Sequence, residues 1–162
     1  NPRTTHRAFS DALVEHIASL SNIASIKIPG LPADQAGVRV ATLRQRLPQR
    51  VSIGVSGDAF AAAGFNAGCN LWYSVCAGLF PQIAQNITAA ALSGERQQAS
   101  ALSERLEPLW ALFRQHGSLK VIAAAASILE LAEVECLPRP LAPLSAEAIN
   151  DVKSVMDKLD LR

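Results

Sequence analysis

Residues 23–30, with the sequence IASIKIPG, are the stretch that decides the fold. Three isoleucines within six residues, closed by a proline and a glycine, predict a short strand followed by a loop. The preceding residues 8–20 carry apolar side chains at helical spacing, which predicts an amphipathic helix. These side chains are Phe9, Leu13, Val14, Ile17 and Leu20. The chain therefore begins with a helix that leads into a strand.

The alternation of helix and strand continues in two further units. Residues 51–55, VSIGV, and residues 71–76, LWYSVC, are the second and third predicted strands. A helix is predicted before each of them, over residues 35–47 and residues 59–66 respectively. Short, almost continuously apolar strands that alternate with helices are typical of parallel strands covered on both faces. The sequence therefore predicts the α/β class.

From Pro81 onward the sequence shows only helical patterns. These patterns cover residues 82–92, 96–113, 118–131 and 146–161. Three βα units alone leave a three-stranded parallel sheet with unpaired edges, which is the appearance of half a barrel. We expect a partial (β/α) barrel at residues 1–92 and an appended C-terminal helical segment at residues 93–162, packed together as one unit.

The composition argues against two classes of partner. The chain has 162 residues, of which 18% are charged, and a formal net charge of +1. Its charged side chains are scattered and form no basic stripe, so nucleic acid is not an expected partner. The longest apolar run, residues 121–129, is far shorter than the roughly 18 residues of a membrane-spanning helix, so no membrane segment is expected.

The cysteines predict buried thiols and no metal site. Cys69, Cys76 and Cys136 form no C-x-x-C pair and lie apart from the histidines in the sequence. Cys69 and Cys76 are expected to be buried and unpaired, which suits a reducing cytoplasm. The chain opens with Asn1 in place of methionine, and we expect it to be a piece of a longer protein.

Lys27 is the candidate catalytic residue. It lies between two isoleucines near the C-terminal end of the first predicted strand, which is where barrel enzymes place their catalytic groups. Desolvation in that setting favours the neutral amine, the form that attacks a carbonyl carbon to give a Schiff base. The alternative is a structural lysine that extends its ammonium group to solvent or pairs with a carboxylate.

The order of four short motifs extends this hypothesis to the whole chain. Lys27 in its strand is followed by Ser56-Gly57-Asp58, by Tyr73-Ser74-Val75 and by residues 137–141, LPRPL. This order resembles the C-terminal half of the dihydrodipicolinate synthase and N-acetylneuraminate lyase family. In that family a G-I-K strand supplies the lysine, an S-G-D turn ends the next strand, and G-V-I-S-V-like and R-L-P-L-like segments follow.

The resemblance implies a fold and an activity. The fold would be the C-terminal part of a TIM (β/α)8 barrel, containing its sixth to eighth strands. Lys27 would form an imine with pyruvate or a related 2-oxo acid, and the imine would serve as the electron sink for carbon–carbon bond formation or cleavage with an aldehyde. No metal or organic cofactor is needed. A homo-oligomer, either a dimer or a tetramer, is expected.

The same resemblance assigns roles to three further residues, each with an alternative. Gly57 and Asp58 would help to hold the second substrate, although Asp58 or Ser56 could instead cap the helix over residues 59–66. The backbone carbonyl of Tyr73 would lie near the imine, whereas its ring either reshapes the pocket or is a packing residue.

Departures from the family pattern argue against the synthase reaction itself. The arginine that the synthase uses for a substrate carboxylate aligns with Thr4, and Arg3 lies one position away. The G-S-T-Y-N pattern of the sialic acid lyases is absent as well. The family tyrosine that relays protons would precede residue 1, so the isolated chain is expected to be inactive. The alternative function is a truncated barrel fragment with a structural or interaction role.

Overall fold

The computed structural model describes residues 6–162. Its strands are β1 (Ser25–Pro29), β2 (Ser52–Ser56) and β3 (Leu71–Tyr73). Its α-helices are α1 (Asp11–Ser19), α2 (Ala33–Arg46), α3 (Ala61–Asn66), α4 (Pro81–Leu92), α5 (Arg96–Arg105), α6 (Glu107–His116), α7 (Ser118–Ile128) and α8 (Ala146–Leu159). Two short 3-10 helices, Asp58–Phe60 and Cys76–Gly78, follow β2 and β3. None of the helices in the described part of the chain has the length and apolar character required to cross a membrane.

The three strands form one parallel sheet in the order β1-β2-β3, which confirms the predicted α/β class. Their C-terminal residues lie side by side, because Pro29 pairs with Ser56 and Ser56 pairs with Tyr73. The loops after the strands therefore share one edge of the sheet. In α/β folds of this kind, ligands bind at that edge.

Helices cover one face of the sheet. Ile28 of β1 and Ile53 and Val55 of β2 are buried on this face, in a hydrophobic cluster with Val40 and Leu43 of α2. Side chains alternate between the two faces along a strand. The residues between these apolar positions therefore belong to the opposite face, which includes Lys27.

A second hydrophobic cluster joins the C-terminal helices to the preceding part of the chain. Trp110 of α6, Val121 of α7 and Val152 of α8 are buried in it. Cys76 and Phe80, which precede α4, are buried in the same cluster. The C-terminal helices thus share their core with residues that follow β3. The division of the chain at residue 92 remains a prediction.

Two predicted elements differ in the structure. The helix predicted over residues 96–113 is wrong as a single element, because α5 ends at Arg105 and α6 begins at Glu107. Pro108 explains the break, since proline has no N–H and its ring collides with the preceding helical turn. The third strand ends at Tyr73 instead of residue 76, and the chain then enters the 3-10 helix Cys76–Gly78.

Candidate active site

Lys27 lies on the sheet face that the described helices leave open. Its Cα pairs with that of Gly54 on β2, and Gly54 pairs with Leu71 on β3. The Lys27 side chain is exposed, and its Nζ lies over the ring of Tyr73, 5.5 Å from the ring centroid. The desolvation expected from the sequence is therefore not provided by residues 6–162, because no described element covers this face.

The Tyr73 side chain crosses β2 and reaches β1. Its hydroxyl oxygen lies 2.7 Å from Ser25 Oγ, in hydrogen-bond contact. The ring passes directly over Gly54, where a methyl group would overlap with Tyr73 and also with the side chain of Leu71. Only glycine at position 54 leaves space for this arrangement. Neither Ser25 nor Gly54 was identified as part of the site from the sequence, since their importance depends on contacts with Tyr73 on another strand.

The turn that contains Gly57 is fixed to the neighbouring strand. Ser56 Oγ donates a hydrogen bond of 2.8 Å to the carbonyl oxygen of Ile28, which joins the ends of β2 and β1. Gly57 has a φ of 89°, in a region that favours glycine. Its carbonyl oxygen accepts a hydrogen bond of 2.9 Å from the amide of Phe60. The turn therefore has a defined shape at the C-terminal edge of the sheet.

Asp58 is buried, with 4% of its surface exposed, and it stabilises the loop after β3. Its Oδ1 accepts hydrogen bonds from Ser74 Oγ at 2.7 Å and from the amides of Val75 and Cys76 at 3.1 and 3.0 Å. The prediction that Asp58 or Ser56 caps the helix that follows them is wrong. The Asp58 carboxylate instead binds the amides at the start of the 3-10 helix Cys76–Gly78. It thereby fixes the chain directly after Tyr73.

The buried cysteines are not candidate nucleophiles. Burial, with an added contribution from the Asp58 carboxylate, raises the pKa of the Cys76 thiol to about 12. Burial also raises the pKa of Cys69 to about 11, an effect that Arg44 partly opposes. Both thiols are therefore protonated at neutral pH and unreactive. They are free, as predicted, and Cys136 is a free and exposed thiol.

Other candidate groups lie outside this arrangement. Thr4 and Arg3, the positions compared with the arginine of the synthase in the sequence, fall outside the described residues. Within residues 6–162, no three His, Cys, Asp or Glu side chains come together as a possible metal site. The structure thus brings together Lys27 and Tyr73 on the open face, while Gly57 and Asp58 form the adjoining turn.

Comparison with known proteins shows what the chain is related to. The sequence model of the Dihydrodipicolinate synthetase family matches residues 1–159. The chain belongs to this dihydrodipicolinate synthetase family. Dihydrodipicolinate synthase from Agrobacterium tumefaciens is 42% identical to it, with a TM-score of 0.91, and the match covers 98% of this chain and 53% of that one. No protein among the curated sequences matches the chain significantly.

Two other solved members of the dihydrodipicolinate synthetase family share the fold at lower identity. The synthase from Thermotoga maritima is 21% identical with a TM-score of 0.89, and the match covers 100% of this chain and 55% of that one. A structure described as the first monomeric dihydrodipicolinate synthase variant is 22% identical with a TM-score of 0.87, covering 99% and 53%. The chain therefore spans about half the length of these relatives, and its α/β fold matches half of their barrel.

Proposed function

We propose that Lys27 is the Schiff-base residue of a class I aldolase, lyase or synthase that acts on pyruvate or a related 2-oxo acid. The observation that carries this proposal is the position of Lys27. It lies at the C-terminal part of a parallel strand, on the sheet face free of helices, in a chain of the dihydrodipicolinate synthetase family. Its side chain forms none of the described ion pairs, which leaves the amine free for a substrate.

The chemistry follows from a neutral amine next to a 2-oxo acid. The Lys27 nitrogen attacks the C2 carbonyl carbon, and loss of water from the resulting carbinolamine gives an imine. The protonated imine withdraws electrons from C3, which then loses a proton to form an enamine. The enamine carbon attacks an aldehyde carbon, and hydrolysis of the new imine releases the product and restores the amine. The reverse sequence cleaves the same carbon–carbon bond.

Three residues would support this reaction at the edge of the sheet. The backbone carbonyl of Tyr73 would accept a hydrogen bond near the imine, and the turn at Gly57 would contact the second substrate. Asp58 would act on the substrate only through the loop after β3, because its side chain is buried and its Oδ1 accepts three hydrogen bonds from that loop. We therefore assign Asp58 to the shape of the pocket wall.

We further propose that the chain is the C-terminal part of a barrel, containing its sixth to eighth strands. The edge of β3 supports this assignment, since an apolar groove of about 610 Å³ lies beside Leu71 and Trp72. Near the start of the chain, Phe9 and Leu13 are exposed. The other half of a barrel would cover these surfaces and would supply the desolvation that Lys27 lacks here. Residues 1–92 and 93–162 would act as one unit, which the core shared by Cys76 and the C-terminal helices supports.

The substrates proposed for the complete protein are pyruvate or a related 2-oxo acid and an aldehyde that differs from the aldehyde substrate of the synthase. This choice rests on Thr4, which occupies the position of the arginine that the synthase uses for a substrate carboxylate.

We propose a cytoplasmic homo-oligomer, a dimer or a tetramer. One solved relative is described as a monomeric variant, so size-exclusion chromatography with light scattering is the direct test of assembly.

Borohydride reduction in the presence of pyruvate tests the assignment of Lys27. We expect a covalent adduct on the Lys27 peptide of the full-length protein, identified by mass spectrometry, and its loss in Lys27→Arg. Lys153→Arg is the matched control, because Lys153 is an exposed lysine on α8 and its replacement should leave the adduct in place. An adduct that persists in Lys27→Arg, or that maps to another lysine, would contradict the proposal.

The second candidate function is a barrel fragment with a structural or interaction role. The exposure of Lys27 and the unpaired edges of the described sheet favour it. The same trap distinguishes the two candidates. If the natural product is a folded protein that forms no adduct with any of a panel of 2-oxo acids, the structural role is supported and the aldolase assignment is refuted.

A further inference from the structure

We propose that Tyr73 is a positioning residue that directs the Lys27 amine through the face of its ring. This inference rests on the proposed function and adds a specific device to it. Tyr73 is 37% exposed, so its ring forms part of the open surface and is not a simple core residue. The Lys27 Nζ lies over that ring, 5.5 Å from its centroid, within the range of a cation–π contact.

The space for the ring comes from the absence of a side chain at Gly54 on β2. The family pattern G-V-I-S-V begins with a glycine at the position of Leu71, whereas this chain has its glycine on the adjacent strand at position 54. Gly54 and Leu71 are paired in the sheet. The side chains of Leu71 and Tyr73 both occupy the volume above Gly54 that a methyl group would fill. The arrangement therefore depends on two strands together.

Ser25 holds the other end of the ring. The Ser25 hydroxyl donates its one proton to the carbonyl oxygen of Ser52, at 3.2 Å. Either oxygen could donate in the 2.7 Å contact between Ser25 and Tyr73, and we assign the phenol as the donor because the Ser25 proton is directed to Ser52. With one end fixed at Ser25 and the backbone fixed through β3, the ring has little freedom to turn away from Lys27.

The direction in which the Tyr73 hydroxyl points distinguishes the positioning role of the ring from a role of the hydroxyl in proton transfer to the substrate. Ser25 precedes Lys27 by two residues on β1, which places it roughly 7 Å further from the C-terminal edge of the strand. The Tyr73 hydroxyl thus points away from the edge where substrates enter, and its proton is donated to Ser25. The part of Tyr73 next to the reacting nitrogen is the π face of the ring.

A π face beside this nitrogen suits the chemistry of an imine. The ring quadrupole attracts a cation at Nζ, and the nitrogen is cationic both as the ammonium group and as the protonated imine. The ring therefore stabilises the protonated imine, the cationic species that borohydride reduces, relative to the neutral amine from which it forms. A purely aliphatic side chain at position 73 would fill the space without this attraction.

Three variants of the full-length protein test the role of the ring. Tyr73→Phe keeps the ring and removes the hydroxyl, Tyr73→Leu removes the ring, and Gly54→Ala keeps Tyr73 but displaces its ring. We expect the rate of borohydride trapping with pyruvate to fall about fivefold in Tyr73→Leu and in Gly54→Ala, and by less than about twofold in Tyr73→Phe. Circular dichroism confirms that each variant is folded.

A spectroscopic measurement tests the contact without requiring any reaction. In protein labelled with 13C-lysine, the ε-methylene resonances of Lys27, assigned with Lys27→Arg, should be shifted upfield by the ring current of Tyr73. The shift should persist in Tyr73→Phe and disappear in Tyr73→Leu. An unshifted resonance in the wild-type protein would overturn the inference.

The outcomes separate this inference from the proposed function. If the wild-type protein forms the adduct and Tyr73→Leu matches its trapping rate, the positioning role fails and the function of Lys27 stands. If the trapping rate falls as far in Tyr73→Phe as in Tyr73→Leu, the hydroxyl is the part of Tyr73 that matters and the role of the ring is refuted. If the upfield shift is present but no adduct forms in the wild-type protein, the proposed function fails and the positioning role fails with it.

Discussion

Replacement of Asp58 by alanine should destabilise the protein by about 3–5 kcal/mol. One carboxylate oxygen accepts hydrogen bonds from Ser74, Val75 and Cys76, and the Asp58 side chain is almost completely buried. The Ser74 hydroxyl can turn to another partner, but the two backbone amides cannot. The Cys76 amide is buried and the Val75 amide is partly buried. A buried donor left without a partner costs about 1–3 kcal/mol, and the two amides together account for most of the expected loss.

Asp58→Asn gives a smaller effect that tests the same reasoning. An amide oxygen can still accept these hydrogen bonds, so only the additional strength of bonds to a charged acceptor is lost, about 1–2 kcal/mol. Urea unfolding followed by tryptophan fluorescence measures both values. With a slope of about 2 kcal/mol per molar urea, the midpoint should fall by about 2 M in Asp58→Ala and by less than about 1 M in Asp58→Asn.

Asp151→Ala is the matched control for these measurements. Asp151 is an exposed carboxylate on α8, and its replacement should change the stability by no more than about 0.5 kcal/mol. The reasoning would be refuted if Asp58→Ala unfolded at the same urea concentration as Asp151→Ala. It would also be refuted if Asp58→Asn were as unstable as Asp58→Ala, since the hydrogen bonds would then not account for the effect.

Three further predictions concern residues outside the Asp58 network. Arg50 donates hydrogen bonds to four carbonyl oxygens at the end of α1 and just after it. Arg50→Ala should therefore speed hydrogen exchange in α1 about tenfold, as measured by mass spectrometry, and unchanged exchange would contradict this role. Gly57→Ala should cost about 1–2 kcal/mol because of the positive φ, measured by urea unfolding against a Gly37→Ala control, since Gly37 has no positive φ and open space around its Cα. Iodoacetamide at pH 8 should modify Cys136 and spare Cys76. The stability of the protein should fall above pH 9, because the Cys76 thiol ionises there in the unfolded chain but stays protonated in the folded protein, where its pKa is about 12. Cys76→Ala should reduce this fall in stability.

The sheet was predictable because its signals are local. The β-branched run around Lys27 and the run at residues 51–55 both form parallel strands, in the predicted order. The break between α5 and α6 was missed, although Pro108 is a local signal for it. The helical periodicity of the apolar residues continues through this break, so the pattern of apolar residues alone does not reveal it.

The candidate site was less predictable because its contacts join distant segments. Lys27 stands out from its immediate neighbours, but the bond between Ser25 and Tyr73 spans β1 to β3 and leaves no local pattern. The role of Asp58 was also not predictable from its neighbours, because a residue that caps the next helix and a residue that accepts hydrogen bonds from a distant loop can have the same local sequence. The exposure of Lys27 depends on which elements cover the sheet, and the sequence of one strand carries no information about that.

The contact between Tyr73 and Gly54 also limits how this part of the protein can evolve. An aromatic ring at position 73 requires an empty volume on the adjacent strand, and a larger residue at position 54 would collide with the ring. If position 54 carried a larger residue, gaining an aromatic ring at position 73 first would cause a collision, and gaining glycine at position 54 first would bring no benefit. The two changes together are tolerated, which is a case of epistasis between two strands. Among relatives, glycine at position 54 should therefore be inherited together with an aromatic residue at position 73.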